Sequence, residues 1–165
     1  MKEPNAKEIK ELIIKCWMTH DGMWFYHCQR EFGMEAANRL NKAAISSLAE
    51  IEAKRVQQAF QLGKIATFED LQRLTQAMFQ TVKGDFMAFT FTFPEENRLH
   101  FNMEKCFAYE GMVRMGVIDR YECGIFHRVL SWFDVLDLKY RAEPEVKGCM
   151  LLTEGRCYRD VRFEF

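Results

Sequence analysis

The segment from Phe86 to Met103 reads FMAFTFTFPEENRLHFNM, and this stretch decides the fold class. Large apolar residues occupy every second position before and after PEEN, which is a turn sequence. Alternation with a period of two is typical of a strand with one buried face. The segment therefore predicts a β-hairpin. Its apolar positions are Met87, Phe89, Phe91 and Phe93 on the first strand, and Leu99, Phe101 and Met103 on the second.

Upstream of the hairpin the pattern is helical. Asn5 and Glu8 form a capping box, and the first helix should end near Gly33. Its predicted inward stripe, in alternating steps of four and three, is Ile9, Ile13, Cys16, His20, Met23 and His27. A second helix is predicted from about residue 35 to 62, and a third begins after Thr67 and Asp70. The second should bury Leu40, Ala44, Leu48 and Ile51.

Downstream of the hairpin, the sequence predicts a helix from about 104 to 115, and a buried helix that begins near Asp119 and runs to about Leu136. Two strands follow, around 138–141 and 157–165. The result is a single α+β domain, residues 1–165, with a helical part (1–82) and a part with the sheet and two helices (83–165). An antiparallel sheet of about four strands is covered by long N-terminal helices and two shorter helices. The predicted shared core is Phe89, Phe91, Phe101, Trp132, Val161 and Phe163.

The charge balance excludes some classes of protein. The 165 residues include 23 basic and 24 acidic side chains, a net charge of −1, which argues against a general nucleic-acid binder. No apolar run reaches the roughly 20 residues that span a bilayer, and the charged N-terminus lacks the apolar stretch of a secretion signal. We therefore expect a cytoplasmic protein without membrane partners. Its six cysteines should be reduced, as metal ligands or buried residues.

Three of these cysteines form a candidate zinc site. Cys123 is expected one turn into the buried helix, and Cys149 and Cys157 flank Gly155, which would turn the chain between two short extended pieces. Such a hairpin would bring two thiolates together, and the helix would supply a third. Zinc binds thiolates tightly, and a structural site has four ligands in a tetrahedron.

The fourth zinc ligand is less defined. Glu145 would complete a Cys₃Glu set, with Glu143 as an alternative and His127 as another. The three cysteines can also be buried as small apolar side chains, which is common for free cysteine. Cys106, at a predicted helix start, would be reactive if the helix dipole lowers its pKa.

The segment from Cys123 to Phe165 resembles the end of a 4-vinyl reductase-type domain, a small-ligand-binding module. The resemblance rests on Cys123, Glu145, Cys149, Gly155 and Cys157. It implies a zinc ion beside a pocket for a small, often aromatic molecule. The whole chain is also similar to proteins related to L-2-amino-thiazoline-4-carboxylic acid hydrolase. That similarity rests on CWMTHD at 16–21, CGI at 123–125 and GCM at 148–150.

Two histidines in the predicted inward stripe indicate a pocket. His20 and His27 lie two helical turns apart, with Asp21 and Trp24 beside them. A flat apolar wall with a few polar groups is what a small-molecule site uses, and histidine is the usual general acid or base near neutral pH. The alternative is that both are core histidines whose nitrogens bond backbone carbonyls.

The leading hypothesis is a domain that binds a small organic ligand between the first helix and the sheet, with a structural zinc. The site would use His20, Trp24 and His27 for the ligand. The alternative is a hydrolase acting on a cyclic C=N or amide-like small molecule, with His20 as base and Asp21 or His27 orienting it. A third hypothesis is a scaffold or homodimer in which the histidines and cysteines only pack.

Overall fold

The computed structural model describes residues 2–165; Met1 lies outside the described residues. The predicted α+β architecture with one antiparallel sheet is confirmed, and the strand order is β1-β2-β4-β3. Two details differ: the first two predicted helices form one element, and a short helix at Met150–Glu154 replaces predicted extended chain. The helices are α1 (Ala6–Ala59), α2 (Phe68–Val82), α3 (Phe107–Arg114), α4 (Gly124–Val135) and α5 (Met150–Glu154). The strands are β1 (Ala88–Thr92), β2 (Arg98–Lys105), β3 (Lys139–Glu143) and β4 (Tyr158–Glu164).

The hairpin that anchors the sheet is β1 and β2, and its prediction is confirmed. Phe91 of β1 lies opposite Phe101 of β2. Asn97, in the turn, has a positive φ of 59°, a conformation that asparagine tolerates. The last strand then pairs with β2, so that Leu99 faces Val161. Alternate side chains of β2 and β4 are buried, as the period of two requires.

The first helix is longer than predicted but breaks where expected. Residues Ala6–Ala59 form one element of 54 residues, interrupted at Gly33, whose φ of 80° and ψ of 169° are not helical. Only glycine adopts this φ without strain. The capping box of Asn5 and Glu8 is present, as is that of Thr67 and Asp70 at α2. The helix starts were therefore readable from local sequence.

The predicted inward stripe of α1 is wrong. Ile14 and Phe25 are buried, with Met18 packed against them. The positions predicted to be inward are exposed instead: Ile9, Ile13, Cys16, His20, Met23 and His27. Beyond Gly33 the same error recurs, since Leu40, Ala44 and Ile51 are exposed and small residues such as Ala49 and Ala53 are buried. Both faces carry residues at helical spacing, so periodicity could not choose between them.

The core forms where α4 and α2 pack on the sheet. Phe79 of α2 contacts the rings of Phe89, Phe91, Phe101 and Trp132. All members of the predicted core lie in this cluster: Phe89, Phe101, Trp132, Val161 and Phe163 are buried, and Phe91 packs against them half-buried. Among residues 2–165, no helix has the length and apolar character needed to cross a membrane.

The two phenylalanines at the end of β4 provide a matched test of this core. Phe163 is 5% exposed and packs edge-on against Phe133, whereas Phe165 is 50% exposed. We expect Phe163→Ala to lower the free energy of unfolding by about 3–5 kcal/mol, because it removes a buried ring and leaves a cavity. Phe165→Ala should cost much less. Urea unfolding of both variants measures the difference, and equal losses would contradict the assigned core face.

Candidate functional site

A cavity of about 520 Å³ lies between α1, α3 and α4 and opens to solvent on one side. Its volume falls in the range of roughly 300–1,000 Å³ that small-molecule sites occupy. Most of its wall is apolar. That wall includes Met18 and Phe25 from α1, Phe107 and Met112 from α3, Ile125 from α4, and Tyr121 just before α4.

The cavity continues toward the sheet. A smaller void of about 50 Å³ shares Met18, Phe107, Ile125 and Arg128 with it and reaches Phe89 and the rest of the aromatic core. An apolar ligand that entered between α1 and α3 would therefore meet apolar side chains at the inner end as well. Together the two spaces extend from α1 to the sheet strands that carry Phe89 and Phe101; a ligand there stays a prediction.

Charged groups surround the apolar wall. Lys15, Lys105 and Arg114 line the cavity, and Asp21 and Glu110 are the acidic residues there. Burial raises the pKa of the Asp21 carboxyl, against the opposing effects of Arg128 and His20.

Arg128 forms the charged floor of the cavity and is held by a buried partner. Its Nε donates to Oε2 of Glu52 at 3.0 Å, and Trp132 Nε1 donates to the same oxygen at 2.7 Å. The guanidinium also lies 4.7 Å from the ring centroid of Trp17. Two opposite charges removed from water are tolerated only when they are paired and hydrogen-bonded. Glu52 therefore fixes Arg128 and, through it, one wall of the cavity.

Removing the Glu52 carboxylate should be costly. We expect Glu52→Ala to lower the free energy of unfolding by about 3–5 kcal/mol, because Arg128 would stay buried without a counter-charge. The control is Glu50→Ala, which removes only an exposed pair with Lys54 at 2.7 Å and should change the stability little. Adding Arg128→Met to Glu52→Ala should recover part of the loss. Urea unfolding of the wild type and the three variants measures this, and a double variant no more stable than Glu52→Ala would contradict the coupling.

The predicted histidine pocket does not form. His20, Trp24 and His27 are exposed, and none of them lines the cavity. Trp24 Nε1 donates to Nε2 of His20 at 3.1 Å on the solvent side of α1. Of the four residues predicted there, only Asp21 faces the cavity, because the inward face of α1 is shifted by about one residue from the predicted stripe. His20 is therefore not placed to act as a base on a molecule in this cavity.

Four cysteines meet at a second, much smaller space. Cys123, Cys149 and Cys157, the three that the sequence singled out, line a void of about 10 Å³ together with Cys106. The local structure differs from the prediction. Cys123 precedes α4 as its N-cap, and the chain between Cys149 and Gly155 forms the short helix α5. Gly155 ends this helix with φ 67°. Cys106, the fourth member, was missed because nothing in the sequence links it to the other three.

The predicted fourth ligands lie elsewhere. Glu145 lines a surface hollow beside Arg98 and Tyr158, away from the cysteine void. Glu143 pairs with Arg141 at 2.8 Å, and His127 Nε2 lies 2.9 Å from Ser46 Oγ. The thiols are donors that zinc prefers. Across residues 2–165, however, no three His, Cys, Asp or Glu side chains are arranged to hold a metal ion. Zinc binding stays a prediction, which elemental analysis of protein purified without added metal will decide.

The void favours neutral thiols. Burial raises the pKa of Cys106 to about 11 and that of Cys157 to about 12, and it raises the pKa of Cys123 as well. The expectation that a helix dipole would make Cys106 reactive is wrong, because burial outweighs the backbone hydrogen bonds at the start of α3. The cysteines of the void pack as small apolar groups in this state.

Thiol modification tests this environment. We expect an aromatic disulfide reagent at pH 7 to react first with Cys16, which is exposed. The four cysteines of the void should react slowly. Cys106, Cys149 and Cys157 are buried, and the raised pKa of Cys106, Cys123 and Cys157 leaves little thiolate, the reactive form, at pH 7. Their rates should rise with pH. Cys16→Ser, which removes the fast phase alone, is the control. Rapid reaction of five or six thiols in the native protein would contradict the burial.

Comparison with known proteins places the chain in a family. The model of a family of unknown function, DUF6125, matches residues 2–129, and the chain belongs to this family. No curated protein matches the chain. The family description gives no activity, so the resemblances to 4-vinyl reductase-type domains and to thiazoline-carboxylate hydrolases stay predictions.

The fold also occurs in a solved structure. Trafficking protein particle complex subunit 3 from Naegleria fowleri, described as covalently bound to palmitic acid, matches with a TM-score of 0.54. The alignment has 13% sequence identity and covers 94% of this chain and 95% of the other. At that identity the similarity concerns the fold alone. It extends across the C-terminal region that the family model does not reach.

Proposed function

We propose that this protein is a cytoplasmic domain that binds a small organic acid with an apolar body in the cavity between α1, α3 and α4. The observation that carries the proposal is the size of that cavity, about 520 Å³, in a wall of apolar side chains. A hollow of about 740 Å³ beside Glu145 is larger, but its wall is more polar than apolar, so the apolar wall distinguishes the cavity between α1, α3 and α4. A space of this size beside an otherwise close-packed aromatic core is typical of a ligand site.

The charges around the cavity favour an acidic ligand. Its basic residues outnumber its acidic ones. Arg128 is neutralised by Glu52, and Lys105 is paired with Glu110 at 3.9 Å. Arg114 forms no ion pair within residues 2–165, and Lys15 shares its partner Glu11 with the backbone of Asp85. These two cations can approach a carboxylate at the cavity mouth while the rest of the ligand stays inside.

The solved relative suggests which probes to use. Its structure is described as covalently bound to palmitic acid, a carboxylic acid with an apolar chain. The 4-vinyl reductase resemblance suggests aromatic molecules instead. Aliphatic acids of increasing length, and aromatic acids, therefore form the first series to test, with the corresponding alcohols to measure the contribution of the carboxylate. Thiazoline carboxylates test the hydrolase hypothesis in the same assay, with turnover as its readout.

A cavity-filling substitution tests the proposal. Gly111 lines the cavity on α3, and a Cβ built there meets nothing within 4 Å. We expect an aliphatic or aromatic acid to raise the melting temperature of the wild type, and Gly111→Leu to abolish that rise by occupying the space. Calorimetric titration measures the affinity.

The control is Val113→Leu on the same helix, at an exposed position outside the cavity. It should bind as the wild type does. Arg114→Gln should weaken the binding of the acids and leave the binding of the matched alcohols unchanged. Binding that survives Gly111→Leu undiminished, or a wild type that none of the acids stabilises, would refute this function.

A further inference from the structure

The solvent side of α1 carries a row of large apolar side chains that stay exposed in this fold. Five large side chains there are between 43% and 62% exposed. They share one side of the helix with Cys16, His20 and His27, which are also exposed. We call this surface the α1 heptad face. Its five large residues are Ile9, Leu12, Ile13, Met23 and Trp24.

The surface has the spacing of a helix–helix seam. Ile9, Ile13, Cys16, His20, Met23 and His27 follow one another in alternating steps of four and three, so that five steps span about five helical turns. Over this length such steps keep one stripe facing a partner helix, as the a and d positions of a coiled coil do. The core-facing side of the same helix, with Ile14 and Phe25, points the other way. The α1 heptad face is therefore a second, separate packing surface.

Its area matches what a stable interface needs. At about 200 Å² for a fully exposed large side chain, the five residues present roughly 550 Å² of apolar surface. A standard interface buries about 800 Å² on each partner, of which about 60% is nonpolar. The largest apolar patch on a typical monomer covers about 300–600 Å², so the α1 heptad face lies at the upper end of this range.

We propose that the α1 heptad face is a homodimer interface, in which α1 of one chain packs antiparallel against α1 of a second copy. The stripe is symmetric about the point between Cys16 and His20. An antiparallel pair therefore places Ile13 of each chain in the layer of Met23 of the other, and Ile9 with His27. A twofold axis requires such self-complementarity. Parallel pairing would instead stack each histidine on its own copy, and would align the helix dipoles unfavourably.

Met23 also lines the ligand cavity, so the dimer would lie against one edge of it, whereas Ile9, Leu12, Ile13 and Trp24 do not line the cavity. Ile13→Lys therefore leaves the cavity wall unchanged, and loss of the dimer in that variant is distinguishable from failure of the proposed ligand site. The helix between them would be covered on both sides, by its own domain and by the second copy.

Sedimentation equilibrium of the full chain tests the interface. We expect the wild type to have twice the mass of one 19.6 kDa chain. Ile13→Lys and Met23→Glu should each give monomers, with unchanged thermal unfolding of the monomer fold because both side chains are exposed. Ile51→Glu is the control, since Ile51 is exposed on the same helix beyond Gly33 and outside the face. It should remain a dimer.

A charge pair tests the antiparallel register. In the double variant Ile13→Lys with Met23→Glu, opposite charges would meet across the twofold axis, so dimerisation should return at least in part. The matched double variant Ile13→Lys with Met23→Lys should stay monomeric. A monomeric wild type, a dimer that persists in Ile13→Lys, or dissociation by Ile51→Glu would overturn the interface. A charge-pair variant as monomeric as the single variants would overturn the antiparallel arrangement.

Discussion

The close approach of α4 to α1 is the constraint on which the rest of the structure depends. At the start of α4, a Cβ on Gly124 would lie 2.9 Å from Asn41 Nδ2 and 2.9 Å from Ile45 Cδ1, both on α1. Further along, the small side chains of Ala49 and Ala53 leave room for α4. Because α4 lies this close to α1, its other side can cover the sheet. The cavity opens where α3 and the N-terminal part of α1 separate from this contact.

Buried polar groups fix the position of α4 along α1. Asn38 of α1 donates to the Arg120 carbonyl at 2.8 Å, and its own amide oxygen accepts from the Glu122 backbone at 3.2 Å. Four turns later, Glu52 binds Arg128. A hydrophobic contact alone would let two helices slide, whereas unsatisfied buried polar groups make each shifted register costly. The two polar contacts therefore fix how α4 lies against α1, and Arg128 forms part of the cavity wall there.

Structural features that depend on neighbouring residues in the sequence were predicted correctly. Features that depend on contacts between distant elements were not. The hairpin of Phe86 to Met103 was predictable because a period of two and a turn are local signals, and the helix caps were predictable for the same reason. The inward face of α1 was not, since Ile13 and Ile14 are both apolar and only contact with α4 decides between them. The predicted stripe is apolar at helical spacing as well, but it lies on the exposed side of α1.

Most residues of the cavity between α1, α3 and α4 were not singled out by the sequence. A ligand site between the first helix and the sheet stays a prediction, and of the residues predicted for it Asp21 lines this cavity. The remaining wall comes from Phe107, Met112 and Tyr121, which look like ordinary core residues because apolar cavity walls and cores have the same composition. The cysteine group was found in three of its four members. Cys106 joins them only through the packing of α3 beside α4 and α5, a long-range arrangement that spacing along the chain does not encode.

The three tryptophans occupy three different environments, which gives the protein an internal set of optical reporters. Trp132 is 2% exposed and donates its indole N–H to Glu52, Trp17 stacks half-buried on Arg128, and Trp24 is 62% exposed beside His20. An indole in a dry, charged interior and one in water emit at different wavelengths. Light absorbed at a single excitation wavelength therefore returns separate signals from the core, the cavity floor and the outer surface of the first helix, without any attached dye.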